Sequence, residues 1–136
     1  MKILLLFFLI LIPADLFAND KAWDLLKEGN KIVFIRHSLA PGGGDPSNFN
    51  LTKCSTQRNL NQAGINQSKK IGELFKKNKV PVDKVLTSQW CRCKDTAFHA
   101  FGKYEEFFAL NSTFQAKFSG NGSKQRKALK KYIKNW

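Results

Sequence analysis

The sequence has 136 residues, with 23 lysines and arginines against 10 aspartates and glutamates, for a formal net charge of +13. That length excludes a multidomain assembly and leaves room for one modest domain, and no internal repeat or low-complexity segment interrupts it. The charge suits phosphorylated solutes, anionic lipid headgroups or nucleic acid without choosing among them; a solvated lysine-rich helix face would give the same balance.

Lys2 is followed by an unbroken apolar run over residues 3–12, closed by Pro13 and Ala14. Such a run has the form of a signal-peptide core and falls short of the roughly 20 residues that a spanning helix needs. Cleavage is expected after Ala18. The chain then divides into a leader, residues 1–18, and one domain, residues 19–136, with no transmembrane span left after cleavage and a periplasmic or secreted address. Three cysteines fit an oxidising compartment, since Cys54, Cys91 and Cys93 allow one disulfide and one leftover thiol. Cys91 and Cys93 lie two apart at a helix start and point about 200° apart, so only one of them can face Cys54. The spacing does not say which. Three thiols with no histidine nearby make no ordinary zinc ligand set.

Residues 20–28 read as a short helix capped by Asn19 or Asp20 and stopped by Gly29. Residues 31–35 come next as a buried strand that ends at Arg36 and His37. Residues 38–57 contain Pro41, Gly42, Gly43, Gly44, Asp45 and Pro46, a cluster of breakers that reads as loop. A loop this long at the carboxyl end of a strand lies where ligands bind in open α/β sheets. From Asn61, a fitting N-cap, the residues Gly64, Ser68, Ile71, Gly72 and Phe75 fall on one helical face, with lysines mostly outside it. Pro81 punctuates the chain. A second strand is expected over 82–87, a helix over 91–101 that Gly102 ends, a third strand over 104–110 and a polar loop over 111–122. Residues 124–135 are helical, with Leu129, Tyr132, Ile133 and Trp136 in an apolar stripe. Short apolar strands alternating with helices predict an α/β fold, a mostly parallel sheet flanked by helices. Such a helix would ordinarily return the chain to another central strand, and none remains to receive it.

Arg36 and His37 at one strand end, with Arg92 after the next strand, form a cradle for a phosphoryl group. A neutral imidazole is a competent nucleophile toward phosphorus, and its ordinary pKa of about 6.5 leaves a large neutral fraction at neutral pH. Guanidinium groups can bind the non-bridging oxygens in bidentate fashion and offset the charge that moves as the group transfers.

The ordered pattern resembles the histidine phosphatase superfamily, with its phosphoglycerate mutase-like fold. A first strand ending in Arg-His and a small residue is matched by Ile35-Arg36-His37-Ser38. A helix lead-in of the type Arg-x-Leu-(Thr/Asn)-x-x-Gly is matched by Arg58-Asn59-Leu60-Asn61-Gln62-Ala63-Gly64. A Ser-Ser-x-x-x-Arg-x-x-x-Thr-Ala motif is matched by Thr87-Ser88-Gln89-Trp90-Cys91-Arg92-Cys93-Lys94-Asp95-Thr96-Ala97. The resemblance covers residues 31–97. It implies a three-layer α/β/α domain, His37 as the phosphorylated nucleophile, Arg36 and Arg92 as holders of the phosphoryl group, and Arg58 and Ser38 as phosphate- or substrate-binding residues.

Members of that family carry a second catalytic histidine after a later strand, so this chain is expected to be a partial domain, incomplete at its carboxyl end. His99 does not replace that histidine, because it lies seven residues beyond Arg92, about 10.5 Å further along the same helix face. No general acid is assigned; Glu105, Glu106 and Asp45 are candidates by position alone. The expected function is an exported phosphomonoester hydrolase acting on a phosphorylated small molecule or sugar phosphate and impaired by truncation. The alternative is a non-catalytic phosphate- or polyanion-binding remnant. No metal or organic cofactor is called for, since arginines neutralise the charge, and no stacking motif or recognition helix points to specific nucleic acid. A missing strand would also leave an exposed sheet edge through which copies of the chain could associate.

Overall fold

The computed structural model describes residues 15–136, so most of the predicted leader, residues 1–18, lies outside the described residues. The first helix, α1 (Asp15–Lys27), covers residues 20–27 of the helix expected over 20–28 but starts ahead of the expected Asn19 or Asp20 cap, and the chain turns after it through Gly29 at φ +72°. Trp23 sets this helix edge-on against Phe75, with ring centroids 5.7 Å apart.

The second helix, α2 (Gln62–Lys77), begins where the cap predicts: the Asn61 side chain accepts a hydrogen bond from the Gly64 N–H at 2.8 Å. Its small residues mark close approaches. A Cβ at Gly64 would collide with the Leu39 carbonyl, and one at Gly72 with the Ala100 carbonyl of the next helix, α3 (Cys91–Phe101). Phe75 meets Phe101 across the same contact at 5.3 Å. Gly102, at φ +69°, ends α3, and its N–H donates to the Phe98 carbonyl.

The strands are shorter than expected. β1 (Leu86–Thr87) pairs in parallel with β2 (Glu105–Glu106), Leu86 opposite Glu105 and Thr87 opposite Glu106. Among the described residues these are the only strands, so the architecture is a helix-rich α/β fold with one parallel pair. A ladder needs a partner along its whole length. Ahead of β1, the carbonyls of Val82 and Asp83 accept instead from the Lys103 ammonium, and after β2 the chain tightens into a 3-10 turn at Phe108–Leu110.

The expected buried strand over 31–35 is a correction. Residues 31–37 carry no sheet ladder and make no backbone–backbone hydrogen bond. The side chains of Ile32, Val33, Phe34 and Ile35 remain 42–65% exposed. Apolar and β-branched content makes a segment fit for a strand, but with no neighbouring strand to pair with, the ladder does not form.

The tightest packing lies under the long loop. Trp90 is 1% exposed, Phe49 stacks on it at 5.5 Å, and Phe118 closes edge-on over both. Phe118 belongs to a short helix, α4 (Ala116–Ser119), within the stretch expected to be a polar loop. The last helix, α5 (Gly122–Lys134), packs on the 3-10 turn through Gln125, whose amide donates to the carbonyls of Phe108 and Asn111. Lys124, Arg126, Lys127, Lys130, Lys131 and Lys134 of α5 are exposed, and none of them forms an ion pair among the described residues. No described helix is long and apolar enough to cross a membrane.

Candidate functional site

The backbone of Ser38 fixes the imidazole of His37. Its Nδ1 lies 2.7 Å from the Ser38 carbonyl. A carbonyl only accepts, so Nδ1 carries the proton and the lone pair sits on Nε2. Ser38, 2% exposed, donates its N–H to Thr96 Oγ1 at 3.0 Å and shares a 2.7 Å hydroxyl–hydroxyl hydrogen bond with Ser68. Each polar atom of Ser38 therefore has a partner in the packing behind the imidazole. Leu39 continues the anchoring, with its N–H donating to Gln67 at 2.9 Å.

Burial lowers the His37 pKa from its usual value, and the positive charges of Arg92, Arg58 and Arg36 add to the effect, partly offset by the bond to Ser38. Three guanidinium groups thus act on one imidazole. Arg36 is exposed. Arg92 leaves the first turn of α3 and is 8% exposed; one terminal nitrogen donates to Asp45 Oδ1 at 2.7 Å and to the Arg58 carbonyl at 3.4 Å. Arg58 donates to the Ala40 carbonyl through one terminal nitrogen. The Nε–H groups of both Arg58 and Arg92 are buried and have no partner.

Asp45 organises this cluster from within the glycine-rich loop. Oδ1 also accepts from the Arg58 N–H at 2.9 Å, and Oδ2 accepts from Trp90 Nε1 at 3.0 Å. Burial alone would raise its carboxyl pKa, but the bonds from Arg58, Arg92 and Trp90, together with the Arg92 charge, hold it below the ordinary value. A carboxylate so committed is a poor proton donor, and its geometry makes it a brace for Arg92. Gln57, 6% exposed, braces the loop in the same way: its amide donates to the carbonyls of Asn50 and Leu51, and its oxygen accepts from the Cys91 N–H at 2.9 Å. Asp45 reaches Trp90 and Arg92 from 45 and 47 residues away, and Gln57 reaches Cys91 from 34. The one available signal was an acidic residue among glycines in a loop facing arginines.

Cys54 and Cys91 form the disulfide, with Cα atoms 5.7 Å apart, and Cys93 is the free cysteine. The bond is of a kind that persists outside reducing compartments. Burial raises the Cys93 thiol pKa.

The remaining candidates stand apart. His99 lines a shallow cleft between α2 and α3 with Lys69, Glu73 and Phe75. Glu106 pairs with Lys94 at 3.1 Å and Glu105 with Lys84 at 3.3 Å, both pairs on the surface. Among the described residues no three histidine, cysteine or acidic side chains cluster as metal ligands would.

A cavity of about 320 Å³ opens beside His37, between residues 31–35, β1, α3 and α5. Its walls are mostly aliphatic and aromatic, including Val33, Leu86, Ala97, Leu129, Tyr132 and Ile133. No family model, curated protein or solved structure matches the chain.

Proposed function

We propose that this protein is an exported phosphomonoester hydrolase of the histidine phosphatase type, with a phosphoglycerate mutase-like fold. The observation that carries the reading is a pair of buried, unpartnered guanidinium N–H groups on Arg58 and Arg92, in a cluster whose charges act on a His37 imidazole with a free Nε2. Guanidinium groups bind the oxygens of a tetrahedral anion, and a neutral imidazole nitrogen beside such a group is placed to attack it.

In the reaction, Nε2 of His37 attacks phosphorus and the bond from phosphorus to the ester oxygen breaks. The departing alkoxide takes a proton from water. Water then attacks the phosphohistidine, returning the imidazole and releasing inorganic phosphate. Arg36 and Arg92 offset the charge on the transferring group, Arg58 guards the mouth, and Ser38 fixes the tautomer of His37 from behind. The substrate is a phosphorylated small molecule.

One observation favours a second reading, a non-catalytic phosphate-binding protein: the Asp45 carboxyl, tied into the arginine cluster, is held ionised and supplies no proton to a leaving group. Hydrolysis of p-nitrophenyl phosphate separates the two. The hydrolase reading expects release that falls at least 100-fold in His37→Ala and Arg92→Ala. Its acid limb should lie below the ordinary imidazole pKa of about 6.5, because burial and the three arginines keep His37 neutral to lower pH. Phosphate binding without His37-dependent release would leave only the second reading, and neither signal would remove both.

A further inference from the structure

Of the groups that would handle phosphate, His37 lines the cavity directly, and the rest of that space is mostly apolar. A sugar phosphate would meet few hydroxyl partners in the cavity beside His37. The Thr96 hydroxyl there already donates to the Arg92 carbonyl at 2.7 Å while accepting from Ser38, and Thr87 and Ser88 are only 5% and 6% exposed. The accessible walls are instead the side chains of Val33, Ile35 and Ile133, 42–45% exposed, with Trp136, 54% exposed, at the margin. Lys31 and Lys84 also line it, and each is ion-paired, to Glu28 at 3.3 Å and to Glu105 at 3.3 Å. Apolar walls with a few convergent polar groups at one end are the form of a pocket that orients an amphiphile.

From this geometry we infer that the substrate is an amphiphilic phosphomonoester, with its phosphate at His37 and its alkyl or acyl chain in the 320 Å³ cavity. The inference rests on the reading of His37 and Arg92 as the phosphate site and adds the identity of the organic group. The net charge of +13 favours an anionic occupant over a second copy of the chain, because self-pairing would bring two strongly cationic surfaces together.

Calorimetric titration of the full chain with methyl-, butyl- and octylphosphonate, below any micelle concentration, tests the inference without requiring turnover. Each methylene that enters the cavity should tighten binding about two- to four-fold, so octylphosphonate should bind at least about 15-fold more tightly than butylphosphonate. Val33→Asn and Ile133→Gln make exposed wall residues polar without adding charge beside the phosphate, and should flatten the gain from methyl- to octylphosphonate. Arg92→Ala should weaken all three ligands. Equal affinity along the series, or a chain-length gain that survives both wall variants, overturns the proposal. A dimer in sedimentation equilibrium that Val33→Asn dissociates also overturns it, because protein then fills the cavity. The phosphatase reading fails separately, when p-nitrophenyl phosphate release does not depend on His37.

Discussion

The Asp45 carboxylate, with its side chain 5% exposed, links three segments of chain: its own loop, the start of the Arg58 lead-in and the base of α3. Removing it would leave the Arg92 charge buried without its counterion, so Asp45→Ala should destabilise the fold by about 3–5 kcal/mol in urea unfolding. Because its folded pKa is depressed, the stabilisation is present in full above the ordinary carboxyl value and is lost as pH falls through the lower folded value. The gap between wild type and variant should therefore narrow below about pH 4. Arg36 and His37 were singled out because they follow the apolar run 31–35, and Arg92 because it comes a few residues after the run that begins at Val85. Asp45 was read only as an acid candidate by position, and Gln57, Phe49 and Phe118 were not read at all, because the partners that fix them, Trp90, Cys91 and each other, include segments far along the chain.

At the scale of elements, helices were read closely and strands poorly. A helix satisfies its backbone within itself, so the Asn61 cap and the small-residue face predicted α2, and Gly102 marked the end of α3. A strand borrows its hydrogen bonds from another segment, so residues 31–35 have strand composition without a strand, and the other two shrank to the registers that found partners. The α2–α3 contact offers a direct check. Gly72→Ala should raise intrinsic helix propensity by about 1 kcal/mol and yet lower thermal stability, because the added methyl meets the Ala100 backbone and overpacking costs about 1–3 kcal/mol. A rise in the melting temperature would mean that the two helices are free to move apart.

For the molecule as a whole, the Cys54–Cys91 bond closes a loop with a sequence separation of 37. Cys54→Ser should cost about 4 kcal/mol of stability by loop-closure entropy, measured against the oxidised wild type. Cys91 also directly precedes Arg92 and accompanies the buried Trp90, so the same sulfur bridge clamps the glycine-rich loop to the root of the proposed anion grip. A chain newly made where thiols stay reduced lacks that clamp and relies on the Asp45–Arg92 ion pair and the Phe49–Trp90 stack to keep the loop seated. Under oxidising conditions the sulfur bridge joins that pair and stack in holding the loop against the root of α3.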